Sequence, residues 1–162
     1  MNSPIESPHS TADILLVEDN PYDAELTLRA MQKGGLADRV IWLKDGAETL
    51  EFLLGASGVA AAPGGTPPAL ILLDLKLPKV DGQDALRRIK SDPRTRTIPV
   101  VVLTSSRESS DLVDAYEAGA NSYIVKPVDF DQFAAAVKNV CLYWLVLNEP
   151  PERQLPAKEN YP

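Results

Sequence analysis

Three runs of continuous apolar residues punctuate the chain: Ile14-Leu15-Leu16-Val17, Leu70-Ile71-Leu72-Leu73 and Val100-Val101-Val102-Leu103. Four apolar residues in succession, without alternation, predict strands buried on both faces, as in a parallel sheet. Val40-Ile41-Trp42-Leu43 and Tyr123-Ile124-Val125 predict two weaker strands of the same kind. A helix-compatible stretch follows each one: Tyr22–Lys33 (stopped by Gly34-Gly35), Asp45–Leu54, Asp81–Lys90, Glu108–Ala118 (before Gly119) and Asp129–Leu147. Pro21, Asp45, Asp81 and Asp129 fit helix starts, because a carboxylate can accept from the unpaired first-turn amides and proline has no amide to leave unpaired. Five strand–helix units in succession predict an α/β fold, a doubly wound five-stranded parallel sheet with helices on both faces. In such sheets the functional site lies beyond the carboxyl ends of the strands.

Three segments break this rhythm. Nine of the 14 prolines fall in residues 1–12, 55–68 and 148–162, and 55–68 (GASGVAAAPGGTPP) also holds four of the nine glycines. Neither helix nor central strand tolerates that composition. The organisation read from this is a flexible N-terminal segment over 1–12, one domain over 13–147 carrying an inserted loop at 55–68, and a Pro-rich C-terminal arm over 148–162. A chain of 162 residues suits one core. The 16 basic against 23 acidic residues give a charge of −7, which argues against nucleic acid as a partner, since phosphate binding calls for a basic patch. The single cysteine, Cys141, excludes an internal disulfide, and the single histidine, His9, excludes His-cluster metal sites and a Ser-His or Cys-His pair within the fold. The longest apolar run, Cys141–Leu147, is far short of the roughly 20 residues that span a bilayer. The start of the chain also lacks the basic and apolar blocks of a signal peptide. The expectation is a cytoplasmic protein with no membrane contact.

The chemistry concentrates at the predicted strand ends. The first strand ends in Glu18-Asp19-Asn20, the third in Asp74, the fourth in Thr104-Ser105-Ser106 and the fifth in Lys126-Pro127. Taken singly, each has a plainer role: Asp19, Asp74 or Thr104 as a helix cap, Lys126 as a solvated charge. Together they converge on one edge of the sheet. Like charges 4 Å apart repel by about 4 kcal/mol at an effective dielectric near 20. A hard divalent cation such as Mg²⁺ resolves that repulsion and seeks phosphate oxygens. Thr104 can donate to a phosphoryl oxygen and Lys126 can neutralise another. A carboxylate between a metal and a lysine is suited to accept a phosphoryl group.

These segments, ILLVEDNP (14–21), ILLDLKLPKVDG (71–82), VVLTSS (101–106) and GANSYIVKPVD (119–129), resemble the receiver domain of two-component response regulators. The resemblance runs from Ile14 to about Val146 and implies a flavodoxin-like (βα)5 receiver fold. It implies Asp74 as phosphoacceptor and Asp19 as a direct Mg²⁺ ligand. Glu18 would act through water, and the backbone carbonyl of Lys76 would be a further ligand. Thr104 would be the switch hydroxyl, Tyr123 the switch aromatic, and Lys126 the phosphoryl contact, followed by a cis peptide to Pro127. NPYDAELTLRA, the insertion before the third strand, NSYIVKPVDFDQF and YWLVLNEPP further resemble the stand-alone regulators that partner phytochrome-type histidine kinases. That narrower likeness implies a red/far-red light signal upstream. The expected function is a phosphorylation-controlled binding module with no turnover substrate, its output passing through an unidentified downstream protein because the fifteen-residue tail is too short for an effector domain. Relay to another histidine protein and a phosphate-independent scaffold are the alternatives. A haloacid-dehalogenase-type phosphatase uses similar residues but places an Asp-x-Asp nucleophile after the first strand, where this chain has Glu18-Asp19-Asn20.

The last predicted helix carries a stripe of Phe130, Phe133, Ala134, Val137, Cys141 and Trp144, the pattern of a core-facing side. Cys141–Leu147 is apolar all round, however, and one buried stripe does not account for that. A second apolar partner is expected. Receivers often dimerise through the fourth-helix, fifth-strand, fifth-helix face. The reading is therefore a homodimer using Tyr143, Leu147 and their neighbours, with the arm reaching across. Cys141 has no activating neighbour and reads as inert, His9 as a poor phosphodonor, and Trp42 as core or a partly exposed sheet edge. Lys76 and Ser106, each two positions past a site residue, are expected to affect water access and hence the lifetime of a phosphoryl group.

Overall fold

The strands β1 (Ile14–Val17), β2 (Val40–Leu43), β3 (Leu70–Leu73), β4 (Val100–Thr104) and β5 (Ser122–Val125) form one sheet in the order β2-β1-β3-β4-β5, every neighbouring pair parallel. The helices are α1 (Pro21–Lys33), α2 (Gly46–Leu54), α3 (Gly82–Ser91), α4 (Ser109–Ala118) and α5 (Phe130–Leu142). This computed structural model describes residues 13–36, 39–56, 58 and 67–151. The expected N-terminal segment, most of the 55–68 insertion and the arm beyond Pro151 lie outside the described residues. Among the described residues, no helix is long and apolar enough to cross a membrane.

The unbroken apolar runs follow from a sheet covered on both sides. Side chains alternate along a strand, so Ile14, Leu16, Leu70, Leu72, Val101 and Leu103 pack on one face with Met31 of α1 and with Phe133, Val137 and Cys141 of α5. Leu15, Val17, Ile71, Leu73, Val100 and Val102 pack on the other with Leu50 and Leu53 of α2, Leu86 and Ile89 of α3 and Ala115 of α4. The two weaker sequence signals, β2 and β5, are the sheet edges, where most positions are only partly buried. Cys141 is fully buried, and burial pushes its thiol up to about 11, consistent with an inert sulfur.

Four of the five helices begin on a side-chain cap. Asn20 accepts from the Tyr22 and Asp23 amides, Asp45 from Glu48, Asp81 from Gln83 and Asp129 from Gln132. Helix α4 has no cap from its own N-cap residue and buries only Ala115. Leu112, Val113 and Tyr116 remain exposed on it. It ends at Gly119, whose φ of 110° is the left-handed turn that glycine adopts without steric cost.

The fifth helix departs from the expected single stretch. Regular α geometry stops at Leu142, and Tyr143–Leu147 is a π-helical turn. The Asn148 amide there donates to the Tyr143 carbonyl, five residues back, at 2.6 Å. Apolar content alone carried no mark of that change in period. Leu142 at the end of α5, and Tyr143, Val146 and Leu147 in the turn, are exposed.

Two loops at the carboxyl edge are held against each other. A Cβ on Gly46 would lie 2.0 Å from the Val80 carbonyl oxygen, so the start of α2 touches the β3–α3 loop directly. Lys79 in that loop has a φ of 67° and pairs with Asp45 at 3.5 Å. Because the obstacle at Gly46 is backbone, Gly46→Ala forces the two loops apart. The expected cost is about 2–3 kcal/mol, read as a lower midpoint in urea unfolding.

Candidate functional site

Winding direction reverses between β1 and β3, and a ligand site is expected in the crevice where such a reversal occurs. Register puts the acids there. Val17 pairs with Leu73, so the next residues, Glu18 and Asp74, leave the sheet side by side. Their amides continue the ladder, Asp74 N–H to the Val17 carbonyl and Glu18 N–H to the Leu43 carbonyl, both at 3.0 Å. On the other flank Thr104 pairs with Val125, and the Lys126 amide donates to the Thr104 carbonyl at 2.8 Å. Glu18, Asp74 and Lys126 are therefore delivered one residue past a hydrogen-bonded strand, and Thr104 at the end of one.

Glu18, Asp19 and Asp74 each offer a carboxylate oxygen, all within 4.8 Å of one another. Glu18 is 2% and Asp74 8% exposed, while Asp19 opens to solvent. An all-oxygen set of three carboxylates fits a hard divalent cation. The Lys126 ammonium reaches into the same cluster, donating to Glu18 Oε1 at 2.6 Å, Asp74 Oδ2 at 3.2 Å and Asp23 Oδ2 at 3.2 Å. Burial raises the Glu18 pKa to about 7, with the Asp74 charge adding to the rise and the Lys126 and Asn20 contacts opposing it. Burial works against the charge on Lys126, but Asp74, Glu18 and Asp23 outweigh it and hold the ammonium above the usual lysine range.

The remaining predicted groups make contacts of their own. Thr104 is fully buried, and its Oγ1 accepts from the Ser106 amide at 3.3 Å. The Lys76 amide donates to Asp74 Oδ1 at 3.2 Å. Tyr123 is partly buried against the α3/α4 side of the core, and its hydroxyl donates to the Ser106 carbonyl at 3.2 Å. The expected cis peptide is not found: among the described residues there are no cis peptide bonds, so Lys126–Pro127 is trans. Trans is favoured for an X–Pro bond by about 0.5–1 kcal/mol, and Lys126 reaches all three carboxylates with it. Tyr143 and Leu147 lie at the far end of α5, away from these groups.

Four participants were not assigned these contacts from the sequence. Asp23 reads as an acid suited to the first turn of α1, and nothing in its spacing points to Lys126. Trp42, on the edge strand β2, donates from Nε1 to the Glu18 carbonyl at 2.8 Å. Gln83 on α3 donates from Nε2 to the Asp111 carbonyl at 3.0 Å. Its Oε1 is buried without a hydrogen-bond partner among the described residues. Asp111 accepts from the Ser106 hydroxyl at 2.5 Å, so the β4–α4 connection is stitched to the first turn of α4 and, through Gln83, to α3.

Known proteins share this fold. Residues 14–138 match the family model of the response regulator receiver domain. A curated relative, "Probable methanogenesis regulatory protein FilR2" of Methanothrix harundinacea, is 44% identical over 85% of this chain and 86% of its own. The solved structure of the bacteriophytochrome response regulator RtBRR is 49% identical, covering 91% of this chain and 89% of that one with a TM-score of 0.66. That of the phosphorylated cyanobacterial phytochrome response regulator RcpA is 36% identical, covering 86% and 97% with a TM-score of 0.75. With a family match over most of its length and the same five-stranded architecture, the chain belongs to the response regulator receiver domains.

Proposed function

We propose that this response regulator receiver domain accepts a phosphoryl group on Asp74 from the phosphohistidine of a histidine kinase, with Mg²⁺, and signals through a protein-binding surface that depends on that modification. The observation that carries the reading is the Lys126 ammonium bonded to Asp74 at 3.2 Å within a carboxylate set fit for a divalent cation. In the transfer, an Asp74 carboxylate oxygen forms a bond to phosphorus as the phosphorus–nitrogen bond to the donor imidazole breaks. The bonding pair leaves with that nitrogen, which regains a proton. Attack by water on the phosphoryl group later returns Asp74 and releases phosphate. Asp19, Asp74 and the Lys76 carbonyl would hold the cation directly and Glu18 through water; the cation, when bound, neutralises charge on the phosphoryl oxygens. Lys126 neutralises a further oxygen, and the Thr104 hydroxyl donates to another once it turns away from the Ser106 amide.

That turn is the proposed origin of the signal. Thr104 leaving its buried seat opens space that Tyr123 turns in to fill, and the β4–α4 connection moves with it. Helix α4, the most weakly anchored of the five, is suited to respond, and the change is a shift between two packings that the phosphoryl group stabilises unequally. The likeness to RtBRR and RcpA supports a phytochrome-type kinase upstream. The exposed Leu142, Tyr143, Val146 and Leu147, with Leu112, Val113 and Tyr116 on α4, support a homodimer through the face of α4, β5 and α5, extended by the arm over 148–162.

Incubation with acetyl phosphate and Mg²⁺ followed by intact-mass measurement tests the acceptor. The wild type gains one phosphoryl adduct and Asp74→Asn gains none. An adduct that survives Asp74→Asn would falsify the assignment.

The raised Glu18 pKa gives a pH dependence. Glu18 must lose its proton to serve the cation, so apparent Mg²⁺ affinity rises by about tenfold from pH 6 to pH 8 and flattens in Glu18→Gln. Trp42 fluorescence reports it, through the indole bond to the Glu18 carbonyl. In the metal-free protein the sign is opposite. The folded value lies above 4.5, so the contribution of Glu18 to stability is complete below pH 4.5 and is lost as the pH rises through about 7.

Light scattering of the full chain at tens of micromolar returns a dimer, and Tyr143→Asp with Leu147→Asp returns a monomer that still accepts the phosphoryl group. A wild-type monomer, with or without a phosphoryl mimic, would remove the dimer.

A further inference from the structure

Asp23 stands apart from the other acids at the carboxyl edge. It arrives from the first turn of α1 rather than from a strand end, and it is not one of the three carboxylates whose oxygens converge within 4.8 Å. Its Oδ2 nevertheless lies 3.2 Å from Lys126 Nζ. Its backbone is fixed from both sides, the amide donating to Asn20 Oδ1 at 3.1 Å and the carbonyl accepting from Thr27 Oγ1 at 2.9 Å.

An ammonium has three protons, and Lys126 places carboxylates of Glu18, Asp74 and Asp23 around them. Two of these partners have other work in the proposed chemistry, Asp74 in bonding phosphorus and Glu18 in serving the cation. Asp23 alone belongs to neither. We infer that Asp23 is a positioning residue for Lys126: it keeps hold of the ammonium while the other two carboxylates are engaged, and so aims the remaining protons at the incoming phosphoryl oxygens. The inference rests on Asp74 being the acceptor. Lysine carries a compact charge on a long flexible stem, and a fixed carboxylate outside the reacting set limits where that charge can go.

Asp23 could instead act only as one more negative charge facing an anionic donor, and the two roles predict opposite signs. With the full chain at saturating acetyl phosphate and Mg²⁺, the rate of adduct formation in Asp23→Asn falls about fivefold, the size of losing one partly exposed charge-assisted bond. Asp23→Glu restores it to within about twofold, and in a Lys126→Ala background Asp23→Asn changes the rate by less than about twofold. A readout independent of phosphorylation is the ¹⁵N-resolved ammonium signal of Lys126 in the Mg²⁺-loaded protein, identified by its loss in Lys126→Ala. It stays sharp in the wild type and broadens by exchange with water in Asp23→Asn, whose melting temperature confirms that it is folded. An unchanged rate, a faster rate, or an equal fall without Lys126 overturns the positioning role. If the wild type forms no adduct, the acceptor reading fails and the inference falls with it. If the wild type forms it and Asp23→Asn matches it, only the inference fails.

Discussion

One lysine holds the working edge of this molecule together. Glu18, Asp19, Asp23 and Asp74 bring four carboxylates to it, and Lys126 is the cation the structure sets among them, in contact with three. Four against one is an unbalanced sum, and its effect is visible in Glu18, which burial and the neighbouring Asp74 push toward retaining its proton. A site short of positive charge is primed for a divalent cation, and the cation in turn makes an anionic phosphoryl group tolerable there. The sheet serves this arrangement through register. Val17 with Leu73 and Thr104 with Val125 decide that the residues which follow, Glu18, Asp74 and Lys126, meet.

Because Lys126 follows β5 directly and its amide is bonded to the Thr104 carbonyl, the ammonium and the buried Thr104 hydroxyl share one pair of strands. From Thr104 the bonding continues to the Ser106 amide, from the Ser106 hydroxyl to Asp111, and from Gln83 to the Asp111 carbonyl. Tyr123 closes the path by bonding the Ser106 carbonyl. Helix α4 fully buries Ala115 and packs Ala118 against the core, and these polar links join its first turn to α3 and the β4–α4 connection. A change at the buried Thr104 hydroxyl therefore has a bonded path to the first turn of α4.

The strands and the acid–lysine constellation were legible because their signals are local. A four-residue apolar run means a strand covered on both faces, and a charged residue at its end means the edge of the sheet. What escaped was set by tertiary geometry. Asp23 carries the ordinary signature of a helix first turn, and only the approach of β5 shows its second role. Lys90 looks like a surface lysine on α3. Yet its ammonium donates to the carbonyls of Arg96 and Ile98 and to Asn121 Oδ1, and burial lowers its pKa to about 8. Gln83 sits at the first turn of α3, where a polar residue is unremarkable, and its link to Asp111 spans 28 positions of sequence. The π-helical turn replaced an expected α-helical one because a backbone bond, which composition does not encode, settled on the fifth residue rather than the fourth.

The insertion between α2 and β3 leaves the fold at Leu54 and rejoins it at Leu70, at the ends of these elements that point away from Asp74. The carboxyl edge is under tight steric control, with Gly46 seated directly on the Val80 carbonyl, whereas the Gly- and Pro-rich insertion departs from and returns to the opposite edge. Lengthening such a loop is cheap, about 0.6 kcal/mol for each doubling. The two edges therefore take change on different terms: at one a single added carbon meets backbone, and at the other added length costs little.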